Sequence, residues 1–117
     1  MTATVDEKEI RWVGSSYEDL LAFPKAPRKD AGFQLAKVQA GLDPIDWKPF
    51  DEVGAGTREV RISDAKAVFR VMYVAKFGEA VYVLHCFQKK TQATSKHDKG
   101  IATARYRALL NARKGRQ

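Results

Sequence analysis

The chain has 117 residues, of which 44% are hydrophobic and 30% charged, enough for one domain with one core and too little for a large multi-domain enzyme. Its longest apolar runs are only a few residues, which excludes a membrane-spanning helix, and its single cysteine, Cys86, excludes an internal disulfide and fits a reducing, cytoplasmic setting. The net charge of +7 comes from the second half: residues 1–56 hold 7 basic and 10 acidic side chains, residues 57–84 hold 5 and 3, and residues 85–117 hold 9 basic ones against Asp98 alone. Such a distribution suits capture of a polyanion, and equally a solvated terminal helix.

The first eleven residues include Asp6, Glu7 and Glu9 and no apolar stretch, so they do not read as a secretory signal. Residues 10–13 alternate and predict a short strand. Ser15 or Ser16 can cap a helix with Glu18 and Asp19 in its first turn, where the helix dipole favours carboxylates. Tyr17, Leu20, Leu21 and Phe23 would form its apolar stripe. Pro24 interrupts it, and Pro27 is placed to start a second helix reaching about residue 40, with Ala31, Leu35 and Val38 on one face and Gly41 as its stop. Residues 42–56 contain Pro44, Pro49, Gly54 and Gly56 and read as a connection that tucks Trp47 and Phe50 onto the core.

From residue 57 the period changes to two. Residues 57–63 predict a strand with Val60 and Ile62 on one side and Glu59 and Arg61 on the other. Asp64, Ala65 and Lys66 turn the chain, residues 67–77 are apolar on both faces as in a central strand, and residues 80–88 return after a two-residue Gly78-Glu79 hairpin. Thr94 or Ser95 caps a last helix with Ile101, Ala104, Ala108, Leu109 and Ala112 as its stripe, ringed by Arg105, Arg107, Arg113, Lys114 and Arg116. The predicted fold is α+β: an N-terminal helical hairpin and a C-terminal helix packed on one face of a small twisted antiparallel sheet, as a single domain over residues 1–117. No GxGxxG or GxxxxGK(S/T) loop occurs, which excludes dinucleotide-binding and P-loop folds.

A Gly78-Glu79 turn would pair Phe77 with Ala80, Met72 with His85 and Arg70 with Phe87. Arg70, Met72, His85 and Phe87 then share one side, with Arg70 and His85 diagonal and about 7–8 Å apart. Phe69, Val71, Tyr73, Leu84 and Cys86 make the other side, apolar enough to face the helices, so the Arg70 side is expected to look outward. Between the first two core strands a three-residue loop sets Val60 beside Arg70. A four-residue loop sets Glu59 there and brings Arg61 onto the Arg70 face, and the pattern alone leaves both open.

The ordered set Glu59-Val60-Arg61-Ile62, Phe69-Arg70-Val71-Met72-Tyr73-Val74 and Val83-Leu84-His85-Cys86-Phe87-Gln88-Lys89-Lys90-Thr91, with Gln39-Ala40-Gly41-Leu42 upstream and Ala104-Arg105-Tyr106-Arg107 downstream, resembles the RelE/HigB superfamily of bacterial toxins. The nearest branch is the phage-derived HigB-like one, and the likeness covers roughly residues 10–112. The resemblance implies a RelE-like fold and a toxin of a type II toxin–antitoxin pair that cuts mRNA, usually on the ribosome. It also implies a cognate antitoxin, commonly of helix-turn-helix type, that neutralises the toxin and contacts operator DNA on its behalf. By position, Arg70, Arg61, His85 and Lys89 would be the catalytic set, and Lys90, Phe87, Gln88 and Lys96 would contact substrate. His97 and Tyr106 lie near the superfamily's C-terminal tyrosine or histidine without a clear match.

The chemistry agrees with these residue types. Metal-free RNA cleavage uses the substrate's own 2′-hydroxyl as nucleophile, so the protein must move two protons and neutralise charge on phosphorus. An arginine can grip two phosphate oxygens, a histidine titrates near neutrality, and a phenylalanine can stack on a base. His85, Cys86 and His97 lack metal-ligand spacing, so no cofactor is expected. The bland readings are a structural strand histidine, a solvated strand end at Lys89-Lys90, and a core Cys86. A rival from another class is a non-catalytic module that binds RNA or antitoxin. A free-standing DNA-binding regulator is disfavoured because no helix-turn-helix pattern occurs. The nuclease reading in this form requires the Arg70 guanidinium and the His85 imidazole to stand together, uncovered, on one sheet face.

Overall fold

A computed structural model describes residues 7–65 and 67–115 of the chain. In chain order the elements are β1 (Glu9–Trp12), α1 (Ser16–Leu21), α2 (Lys25–Gln39), β2 (Trp47–Pro49), β3 (Thr57–Asp64), β4 (Ala67–Val74), β5 (Ala80–Lys89) and α3 (Lys96–Lys114). The expected turn residue Lys66 and the expected helix-flanking Arg116 lie outside the described residues. No helix among the described residues is long and apolar enough to cross a membrane.

The five strands form one sheet in the order β1-β5-β4-β3-β2. The α+β class holds with one amendment: β1 runs parallel to β5 while the other pairs are antiparallel, so the sheet is mixed. Residues 42–56 are more than a connection, because β2 pairs with β3 as the far edge strand. α2 ends where expected: Ala40 is its C-cap, and Gly41 follows at φ +82°, a left-handed conformation that glycine adopts without strain.

Both sheet faces are covered, which overturns the expected outward side. On one face Val60, Ile62, Phe69, Val71, Tyr73, Val81, Val83 and Cys86 pack under α1 and α2 against Leu20, Phe23, Ala31, Leu35 and Val38. On the other, Met72, Val74, Ala80, Tyr82, Leu84 and Phe87 pack with Phe50 and Val53 beneath α3. A strand apolar on both sides needs two covers, because an exposed row of Met72, Val74 and Leu84 would forfeit about 1.5–3 kcal/mol per side chain.

The helix stripes differ from expectation for physical reasons. α1 has only six residues, so it buries Ser16 and Leu20 while Tyr17 and Leu21 stay exposed. α3 buries Ala102, Tyr106 and Leu109 rather than the alanine row Ala104, Ala108 and Ala112. Tyr106 sets that rotation. Its hydroxyl donates to the Ala55 carbonyl at 2.6 Å, and its ring lies over Gly54, where a Cβ would sit 2.5 Å from ring carbons.

The strand registers also shift. Asp64 pairs with Ala67, leaving two positions between them instead of three or four, so Arg61 stands directly opposite Arg70 and Glu59 opposite Met72. Arg61 therefore does share the Arg70 face. Met72 pairs with His85 and Arg70 with Phe87 as expected, but Tyr73 pairs with Val83, so Leu84 is an extra residue in a β-bulge. The bulge moves Leu84 into the α3-side core, opposite to its expected placement. The strands end at Val74 and Ala80, so the tight Gly78-Glu79 hairpin gives way to a longer connection over residues 75–79.

Candidate functional site

Arg70 sits on the central strand β4 and is only 4% exposed. A buried guanidinium needs an anion, and Glu59, 1% exposed on the adjoining strand β3, provides it: Arg70 Nε donates to Glu59 Oε1 at 3.1 Å. Thr94 Oγ1, from the stretch before α3, donates to Glu59 Oε2 at 2.8 Å, and Lys48 Nζ lies 3.7 Å from Oε1. Glu59 thus holds one edge of the guanidinium. Arg70 Nη1 is buried with no hydrogen-bond partner among the described residues. Burial lowers the Arg70 pKa below the usual arginine range, the Glu59 charge works against that, and the Arg61 charge adds to it.

Arg70 lines a groove of about 600 Å³ together with Arg61, Lys89, Lys90, Thr91, Gln92, Ser63 and Val68. Among the described residues, four cations and no carboxylate line it. Arg61 is exposed, 3.7 Å from Asp46, and Lys89 on β5 pairs across from Val68. Burial, and next the Arg70 charge, lower the Lys89 pKa. The groove therefore sets a buried guanidinium, with one donor unpartnered among the described residues, beside a destabilised ammonium, an arrangement an anion relieves.

His85 does not belong to this groove. It is 5% exposed, its Nε2 lies 2.8 Å from Asp98 Oδ1 at the start of α3, and its Nδ1 is buried without a partner among the described residues. The Phe87 ring stacks on it at a centroid distance of 4.7 Å and an interplanar angle of 18°. His85 lines a second cavity, of about 580 Å³, that is also lined by Arg105, Asp19, Ser15, Phe23 and Phe87. A site built on an uncovered Arg70–His85 pair is excluded. Phe87 is 8% exposed and already stacked, so it offers no open platform. Cys86 is a buried free thiol whose pKa burial pushes up.

Of the remaining expected residues, Lys90 and Gln88 are exposed near the end of β5, and Lys96 is exposed at the first position of α3 without lining the groove. A third cavity, of about 350 Å³, joins the two larger ones: it shares Lys89, Lys90 and Thr91 with the groove and Gln88 with the His85 cavity, and His97 lines it. Sequence reasoning missed Glu59, Thr94 and the nearness of His97 to Lys89 and Lys90. The signal for Glu59 was available, since a lone arginine on a central strand calls for a counter-ion. Among the described residues no three His, Cys, Asp or Glu side chains are grouped as metal ligands would be.

The His85–Asp98 contact sets a pH dependence. Burial holds the His85 pKa below its ordinary 6.5, outweighing the hydrogen bond to Asp98 that raises it. The unfolded chain then binds the proton more readily than the folded one. The contribution is therefore fully present above about pH 6.5 and is lost as pH falls toward the folded value, at no more than ~1.4 kcal/mol per pH unit for one proton. Urea unfolding at pH 7.5 and 5.5 is expected to show this loss in the native protein and a smaller one in His85→Gln; equal losses would assign the effect to another group.

Comparison with characterised proteins finds no match to the sequence. A match does exist to a family described as "Phage derived protein Gp49-like (DUF891)", over residues 18–107. That span runs from α1 to the body of α3 and includes both arginines and both lysines of the groove. The chain therefore belongs to the phage-derived Gp49-like family, a family of RelE/HigB-like toxins of toxin–antitoxin systems.

Proposed function

We propose that the protein is a toxin that cuts mRNA without a metal, on the ribosome, in the manner of the HigB-like branch, and that a helix-turn-helix antitoxin neutralises it. One observation supports this reading above the others: a buried guanidinium with a free Nη1 opens onto a groove whose ionisable lining is wholly cationic. In that reaction the substrate's 2′-hydroxyl attacks the neighbouring phosphorus. Arg70 Nη1 and Arg61 meet the non-bridging oxygens as negative charge grows there, which is where fixed donors act most strongly. Lys90 holds the flanking phosphate. Proton transfer falls to Lys89, whose lowered pKa suits donation to the leaving 5′-oxygen, and to His97 in the adjoining cavity. His85, buried against Asp98 and absent from the lining of the groove, takes no part in the chemistry.

One observation favours the rival binding-only reading to one degree: no histidine lines the groove among the described residues. Induction in a bacterial host, followed by primer extension on cellular mRNA, separates the two. Growth arrest with new 5′ ends inside coding regions is expected. Lys89→Ala and Arg61→Ala should each weaken RNA binding severalfold and lower the salt dependence by about one counterion. Growth arrest and RNA binding with no cleavage on or off the ribosome would overturn the nuclease and leave the binding module.

A further inference from the structure

The three cavities form one path along the end of β5, from the cationic groove through Lys89 and Lys90 to Gln88, and from Gln88 to the space between α1 and α3. We propose that this last space is a nucleobase subsite: an RNA strand whose phosphates occupy the groove passes Gln88 and turns one base into the cavity beside His85. The proposal rests on the RNA reading above and extends it.

The two ends of the path differ in chemistry. The groove is cationic, whereas the His85 cavity holds one cation and one anion, Arg105 and Asp19, 3.8 Å apart. Arg105 is tied into the wall, with Nη1 donating to the Leu84 carbonyl at 2.9 Å and Nη2 to Ser15 Oγ at 2.8 Å, and Asp19 offsets its charge, so the cavity suits a neutral group. Aromatic rings line it: the Phe23–Phe69 pair, with centroids 4.7 Å apart, and the stacked His85–Phe87 pair. Its volume of about 580 Å³ lies within the ordinary range for small-ligand pockets.

One buried polar atom defines the hydrogen bond on offer. With Asp98 ionised, His85 Nε2 must donate to it, which leaves Nδ1 as an acceptor that no protein donor meets. Burial favours this neutral tautomer. The missing partner is an N–H donor on a flat, uncharged ring, which is what a base's exocyclic amino or imide group supplies. Gln88, exposed at the mouth, can pair with a second edge position.

The test uses the full chain and 2′-O-methyl tetranucleotides, which bind but lack the attacking hydroxyl. Each position in turn holds a base or an abasic sugar, and fluorescence anisotropy gives Kd. Loss of the base at one position is expected to weaken binding about tenfold. Ile101→Trp, which narrows the cavity, and His85→Phe, which keeps a ring and removes the acceptor, should each bring the intact oligonucleotide toward the abasic level without changing abasic binding. Lys89→Ala should weaken intact and abasic oligonucleotides alike. If the unaltered protein binds both equally and Lys89→Ala still weakens both, the base subsite is wrong and the phosphate groove stands. If Lys89→Ala changes neither, the RNA reading fails and this inference with it.

Discussion

Glu59→Ala is expected to lower folding stability by about 3–5 kcal/mol, the loss typical of removing one partner from a buried ion pair. The carboxylate accepts from Arg70 and Thr94 and lies near Lys48, so its removal leaves a guanidinium in the protein interior facing two further unpaired groups. Glu59→Gln keeps an acceptor at the same place but removes the charge, so it should recover only the hydrogen-bonding part of the loss. Urea denaturation of both variants decides the matter. A Glu59→Ala protein within about 1 kcal/mol of the parent would show that solvent in the groove, and not Glu59, satisfies Arg70.

Arg70→Lys separates the two tasks of the guanidinium. In the native protein Nε is held by Glu59 while Nη1 is buried with no hydrogen-bond partner among the described residues. A lysine brings one nitrogen, and a buried glutamate is the partner it must take. The variant is therefore expected to fold with near-native thermal stability while mRNA cleavage falls about 10²–10³-fold, the usual size of removing one donor from a developing oxyanion. Retained cleavage in a folded Arg70→Lys protein would reduce Arg70 to a structural cation and return the phosphate role to Arg61 and Lys90.

Much of the architecture was legible in the residues. The helix boundary at Gly41 and the strands on either side of Arg70 follow from period and turn chemistry, whereas the pattern leaves the face of Arg61 open and the observed register is that of a two-residue connection. The site was less legible because its placement depends on single-residue events that period does not encode. Period sets His85 diagonal to Arg70, as observed, but it does not encode that Asp98 at the start of α3 meets the imidazole. The pattern across residues 67–77, apolar on both sides, already implied two covering layers, yet an alternating histidine and arginine drew the eye to an open face. Likewise Tyr106 reads as a polar-tipped residue amid arginines until Gly54 and the Ala55 carbonyl give its ring and hydroxyl a place.

A sheet sheathed on both sides leaves a polyanion only the rim, where Arg61, Lys89 and Lys90 emerge beyond the packed interior. Substitutions at such a margin disturb few neighbours, so their thermodynamic penalty is small. The same scaffold can thus acquire new sequence preferences by exchanging rim side chains, while the Glu59–Arg70 anchor beneath them stays fixed.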